Sequence, residues 1–169
     1  FYFYIIGIQN DKDKLRRQAQ KSKLDELLAS SYLTALEINR IGEMYHYAKD
    51  GVKEDFVTAK SYYRKAAKMG CSESYYNIGI MYQHGHGVKP SIVKSLQYFQ
   101  LAEMNGSELA KRQVERVVTS KRLSSKKAIS IALMYQDGDK SLKKDSKLAL
   151  RFFKKGGQAA NLLLGQFYQ

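Results

Sequence analysis

The sequence predicts an all-α fold built from stacked helix pairs, and three observations predict it. A stretch recurs about 36 residues along the chain. Residues suited to starting and stopping helices recur with it, and no strand-like alternation interrupts it apart from an ambiguous Phe1–Ile8. Ile41-Gly42-Glu43-Met44-Tyr45 returns as Ile78-Gly79-Ile80-Met81-Tyr82, and Gly51-Val52 as Gly87-Val88. Tyr62-Tyr63-Arg64-Lys65-Ala66 returns as Tyr98-Phe99-Gln100-Leu101-Ala102, and Gly70 as Gly106. A period in this range marks a supersecondary unit that buries its apolar face only by stacking on a neighbour. Stacked units of this kind create extended binding surfaces.

The first element is the apolar run Phe1–Ile8, far too short to span a bilayer. It reads as a packed first element or a cut from a longer protein, ahead of the tail of a signal or anchor segment. Asp11–Ala29 is charged, with Leu15, Leu24, Leu27 and Leu28 available for one face, and predicts a helix that covers the first repeat.

Each full repeat then reads as two helices. In the second copy the first helix carries Tyr75, Ile78, Gly79 and Tyr82 at i, i+3, i+4 and i+7. A mid-helix glycine costs about 1 kcal/mol relative to alanine. Its return at Gly42 and Gly79 therefore predicts a neighbouring helix at close range. A glycine turn follows, Gly51 in one copy and Gly85 and Gly87 in the next. Asp55, Ser91 and Asp145 occupy one repeat position, and all three types can cap the free N–H groups of a second helix. That helix runs through Ala59, Tyr62, Tyr63, Ala66 and Ala67 to Gly70.

A third copy, Ile131-Ala132-Leu133-Met134-Tyr135, continues through Gly138, Asp145, Ala149, Phe152 and Phe153. Met81 and Met134 lie 53 residues apart, so about 17 residues intervene. They predict an extra helix over Ser107–Thr119 and a polar turn over Ser120–Ser125. Ala160–Tyr168 spells one more first helix, Leu164-Gly165-Gln166-Phe167-Tyr168. The expected organisation is a capping segment at 1–34, two repeats at 35–106, a basic insert at 107–127, and a third repeat with a terminal half-repeat at 128–169. Two departures from regularity stand out. An extra residue between Tyr45 and Gly51 predicts a different first turn, and Gly156-Gly157 in place of Ala66-Ala67 goes with a shortened last helix.

The net charge of +13 points to an acidic protein, a nucleic acid or an anionic membrane surface as partner. Charge is spread along the chain with one dense segment: Lys111, Arg112, Arg116, Lys121, Arg122, Lys126 and Lys127. The plain reading of that segment is a solvated helix face; the functional one is an anion-facing patch. No basic motif interleaved with aromatics singles out nucleic acid. One cysteine, Cys71, excludes an intrachain disulfide, and no histidine beside it in sequence points to catalysis. His46, His84 and His86 are the only histidines, too few for a metal cluster, and no cofactor is expected. Phosphate-loop and nucleophile-elbow patterns are missing, and carboxylates do not pair within the repeats. A wall- or glycan-directed hydrolase or binder is the alternative class, and it would need such paired carboxylates.

The run Ile78-Gly79-Ile80-Met81-Tyr82-Gln83-His84-Gly85-His86-Gly87-Val88 and the second-helix half from Asp55 to Gly70 resemble the Sel-one-like repeat (SLR) family. That family is related to the tetratricopeptide repeats. The resemblance covers Ala35–Gly106 and Ala128–Tyr168. It implies a right-handed α-α superhelical solenoid whose first helices line a concave face. It implies a non-enzymatic scaffold or adaptor between proteins, of bacterial origin, periplasmic or secreted, with a cytoplasmic location left open. It also implies a secreted toxin or effector as one kind of partner, either neutralised as by an immunity protein or assisted in virulence. Cysteine-rich members are connected with β-lactam binding, but their bridging cysteines are absent here and that activity is not carried over. On the concave face the core slots are Gly42, Tyr45, Gly79, Tyr82 and Tyr135. The neighbouring slots expected to meet a partner are Arg40, Glu43, His46, Tyr47, Asn77, Gln83, His84 and Gln136, with Arg40 and Tyr47 leading by residue type.

Overall fold

The computed structural model describes residues 2–138, 142–161 and 165. Helix is the only regular secondary structure among them. The helices are α1 (Tyr2–Ala29), α2 (Ala35–His46), α3 (Phe56–Lys68), α4 (Ser72–His84), α5 (Ile92–Met104), α6 (Glu108–Thr119), α7 (Ser125–Asp137) and α8 (Ser146–Gly156), followed by a 3-10 turn at Gly157–Ala160. The chain divides into two compact units, Phe1–Ser74 and Tyr75–Gln169.

In the first unit the ambiguous N-terminal run is helical from Tyr2 and continuous with the charged segment, a single α1 of 28 residues. No helix among the described residues is long and apolar enough to cross a membrane. The expected leucine face of α1 is narrower than its spacing suggested. Leu24 is buried against Ile41 and Met44 and Leu27 packs beside them, whereas Leu15 and Leu28 are exposed. Among the described side chains of α1, those at its end cover the first repeat.

A capping box starts α2. Thr34 Oγ1 accepts from the Glu37 N–H at 3.2 Å, and Glu37 Oε2 accepts from the Thr34 N–H at 2.8 Å. Asp55 starts α3 by accepting from the Val57 and Thr58 N–H groups. The two helices run antiparallel, with Ile38 near Ala66 at one end and the Asp55 N–H bonded to the Tyr45 carbonyl at the other.

Three contacts define this unit and recur in the second. The residue capping the second helix donates its N–H to a tyrosine carbonyl of the first: Asp55 to Tyr45, Ser91 to Tyr82 and Asp145 to Tyr135, each at 2.9 Å. The same tyrosines stack on a second-helix ring: Tyr45 on Tyr62 at 5.9 Å, Tyr82 on Tyr98 at 5.5 Å and Tyr135 on Phe152 at 5.9 Å. The repeated glycines admit an aromatic ring. A Cβ built on Gly42 would lie 2.7 Å from Tyr63, and one on Gly79 would lie 2.5 Å from Phe99. The close neighbour that the glycines predicted is thus a buried ring on the partner helix.

The first turn differs as its extra residue predicted. Ala48 and Asp50 adopt positive φ (49° and 54°) beside Gly51, whereas the second turn uses Gly85 and Gly87.

A core cluster of the second unit holds Phe99, Tyr135, Phe152 and Phe153 fully buried. The inserted helix belongs to it. Ser107 caps α6, and Ala110, Val114, Val117 and Val118 point into the core at i, i+4, i+7 and i+8. Gln113 reaches the Tyr76 hydroxyl at 3.1 Å, and Arg151 on α8 pairs with Glu115 at 2.6 Å. At 11 residues α8 is shorter than α3 and α5 at 13 each. Gly157, at φ 64°, ends it early. Of the terminal half-repeat, Leu164 and Gln166–Tyr168 lie outside the described residues.

Candidate protein-binding surface

The eight slots expected to meet a partner divide by burial. Arg40, Tyr47 and His84 are exposed, and Tyr47 carries the Lys49 ammonium 5.1 Å from its ring centre. Glu43, Gln83 and Gln136 are half-buried. The Glu43 carboxylate accepts from Asn39 Nδ2 at 3.0 Å and lies 3.9 Å from Lys49, so part of its capacity is used inside the protein.

His46 and Asn77 are corrections: they are buried, at 2% and 5% exposure. His46 turns inward because α3 offers it a hydroxyl. Its Nδ1 lies 3.1 Å from Tyr63 Oη, and its ring meets Phe56 edge-on at 5.5 Å. Burial pushes the Tyr63 phenol far above its ordinary range, so the hydroxyl stays protonated and polar. Asn77 sits at the repeat position of Arg40, but its short amide does not reach solvent as the longer arginine does. A further buried polar contact, Ser74 Oγ donating to Asn39 Oδ1 at 2.8 Å, escaped the sequence reading because it joins residues 35 apart.

The seven residues of the basic segment are all exposed. Arg112 and Arg116 lie on the face of α6 opposite its valines, and Lys111 lies at the flank of that face. Glu115 lies among them, but Arg151 occupies its carboxylate and holds it below the usual glutamate range. Among the described residues none of the seven cations has an ion-pair partner. Charge is also uneven between the units. Residues 75–169 hold sixteen Lys and Arg against six Asp and Glu, a net +10 of the chain's +13.

Beside this segment, within the second unit, lies a cavity of about 460 Å³. Pro90, Ile92, Val93 and Ile131 give it apolar walls. Gln83, Ser91, Ser130 and Lys127 supply polar groups, with no carboxylate among the described lining residues. The α5 start brings Pro90 to Val93, the end of α4 brings Gln83, and the first turns of α7 bring Lys127, Ser130 and Ile131. The Gln83 Oε1 atom is buried without a hydrogen-bond partner. Sequence spacing had paired Gln83 with the concave slots and Lys127 with the basic segment, without showing that they share one cavity.

The His84 and His86 rings lie 5.5 Å apart, and no group of three or more His, Cys, Asp or Glu able to hold a metal occurs among the described residues. Cys71 is buried, with its thiol directed at Glu73 Oε2 at 3.4 Å.

Three helix pairs sharing one cap position, one stacked ring pair and one carbonyl contact define a helical tandem-repeat protein. The Sel1 repeat family matches residues 38–71, 72–107 and 128–161, and the chain belongs to that family. The unmatched stretch between the second and third matches contains α6 and the basic turn. Proteins of this family are typically protein–protein interaction scaffolds and generally non-enzymatic. An uncharacterised protein of Neisseria meningitidis serogroup B is 32% identical over 60 residues, which is 36% of this chain and 13% of that protein. Among solved structures, a Sel1 repeat protein from Oxalobacter formigenes is 28% identical at TM-score 0.47, over 80% of this chain and 64% of that one. A protective antigen present in uropathogenic Escherichia coli strains, with an SLR fold, is 25% identical at TM-score 0.43, over 79% of this chain and 26% of that one. The chain thus spans less than two thirds of the length of each of these relatives.

Proposed function

We propose that this chain is a non-enzymatic scaffold that binds an acidic protein through the basic face of residues 75–169. One observation carries the reading: Lys111, Arg112, Arg116, Lys121, Arg122, Lys126 and Lys127 are exposed and lack ion-pair partners among the described residues. An ordinary solvated face mixes both signs, and here the one interleaved acid is neutralised from α8. Such a field speeds encounter with an acidic surface and fixes its orientation. Arg40, Tyr47 and His84 supply further exposed contacts on first helices. A secreted toxin or effector, the partner class the family resemblance implies, would be controlled sterically, by covering its working surface.

The test is affinity capture from nuclease-treated bacterial lysate at low salt, with mass spectrometry. Wild type is compared with a variant carrying Lys111→Glu, Arg112→Glu and Arg116→Glu. Wild type should retain a discrete acidic protein that the variant loses. Equal retention by both, or no acidic protein retained by wild type from the nuclease-treated lysate, contradicts the proposal.

A further inference from the structure

We infer that the cavity between Gln83, Ile92 and Lys127 receives a short extended segment of the partner protein, an aliphatic side chain followed by a carboxylate. The inference rests on the scaffold reading above and narrows it to one recognition element.

Comparing the repeats explains why the cavity exists. The repeat positions of Gln83 and Ile92 are held in the first copy by His46 and Phe56. There the two rings meet edge-on at 5.5 Å, and His46 is fixed by Tyr63. In the second copy Phe99 stands where Tyr63 would be and offers no hydroxyl, so Gln83 has no such inward partner. Ile92 is smaller than a phenyl ring. Losing two rings leaves the space open, and the start of α7 closes its other side with Lys127, Ser130 and Ile131.

The lining states what it would take. Its volume of about 460 Å³ falls in the range of roughly 300–1,000 Å³ typical of ligand pockets. Ile92, Val93 and Ile131 suit an aliphatic group. Lys127 is an exposed cation without an ion-pair partner among the described residues, and it suits a carboxylate. An aliphatic side chain beside a carboxylate, carried on a segment of the acidic partner protein, meets both. No aromatic ring is among the described lining residues, which leaves a nucleic-acid base without a stacking platform there.

The probe is a random heptapeptide phage library selected on the immobilised full chain. Selected peptides should place Leu, Ile or Val beside Asp or Glu. One such peptide, synthesised with a fluorophore, should bind Ile92→Phe and Lys127→Glu about tenfold or more weakly than wild type. Its binding to Lys53→Glu/Lys68→Glu, two exposed cations of residues 1–74, should stay within about twofold of wild type. Ile92→Phe borrows the residue that the first copy carries at Phe56, and Lys127→Glu changes an exposed side chain, so the second serves if the first fails to fold. No enrichment, enrichment without an acidic residue, or equal binding to both pocket variants overturns the inference. If the pocket variants capture the lysate protein as wild type does while the α6 variant loses it, the scaffold reading stands and the pocket does not. If the α6 variant also captures it, the scaffold reading falls.

Discussion

A methyl group added at Gly79 would lie 2.5 Å from a carbon of Phe99, a ring with no exposed surface on which to move aside. Two effects oppose each other. Alanine gains about 1 kcal/mol of helix propensity over glycine, and overpacking a core costs about 1–3 kcal/mol. Because the ring cannot yield, Gly79→Ala should be net destabilising, read as a lower urea midpoint. A second case is the His46–Tyr63 contact. Tyr63→Phe leaves a buried imidazole nitrogen without its hydroxyl and should cost about 1–2 kcal/mol. Adding His46→Gln should recover part of that loss, because the second and third copies pair Gln83 with Phe99 and Gln136 with Phe153. Strict additivity in this double-mutant cycle would show that the contact contributes nothing. A third case is Asp55, held below the ordinary aspartate range by hydrogen bonds from the Thr58 hydroxyl and the Thr58 and Val57 N–H groups. With the folded value depressed, its contribution is present above the unfolded value of about 3.9 and is lost as pH falls through the folded one. The thermal midpoint of wild type should therefore exceed that of Asp55→Asn at pH 7, and the gap should close toward pH 3.

Among the elements, the local signals were legible in the chain and the long-range ones were not. Caps and stops depend on a few consecutive residues, so Asp55, Ser91, Asp145, Gly70 and Gly106 could be placed from their types and spacing. The Thr34-x-x-Glu37 box carried the same kind of signal and was passed over. The inward turn of His46 depends on a hydroxyl 17 residues away, and helical spacing alone puts that slot at the edge of the exposed face. The cavity was less legible still, because Gln83 and Lys127 meet only where α7 approaches α5. Element α6 could be foreseen as a helix, but its place in the core could not. Its four buried residues share a cluster with Phe99, Phe152 and Phe153. Removing 108–127 to join the second and third repeats directly should therefore unfold residues 75–169 rather than regularise them. Loss of near-ultraviolet circular dichroism with a lowered thermal midpoint would show it. An unchanged midpoint would mean that α6 is an appendage.

For the whole molecule, three-quarters of the excess positive charge belongs to residues 75–169, where α6 and the turn after it interrupt the repeat. The irregular part of the chain therefore carries the seven exposed cations, which lack ion-pair partners among the described residues, and one lining residue of the cavity, Lys127. The most direct test of the scaffold proposal is the association rate constant of the full chain with the captured partner, measured across ionic strength. Exposed charges lose their reach as the screening length shrinks from about 30 Å at 0.01 M to about 8 Å at 0.15 M. The rate should fall by roughly tenfold or more over that range, with much less change in dissociation, and the fall should be shallower for the α6 charge-reversal variant. An association rate that ignores salt, in wild type and variant alike, would contradict the proposal that the basic face is the binding surface.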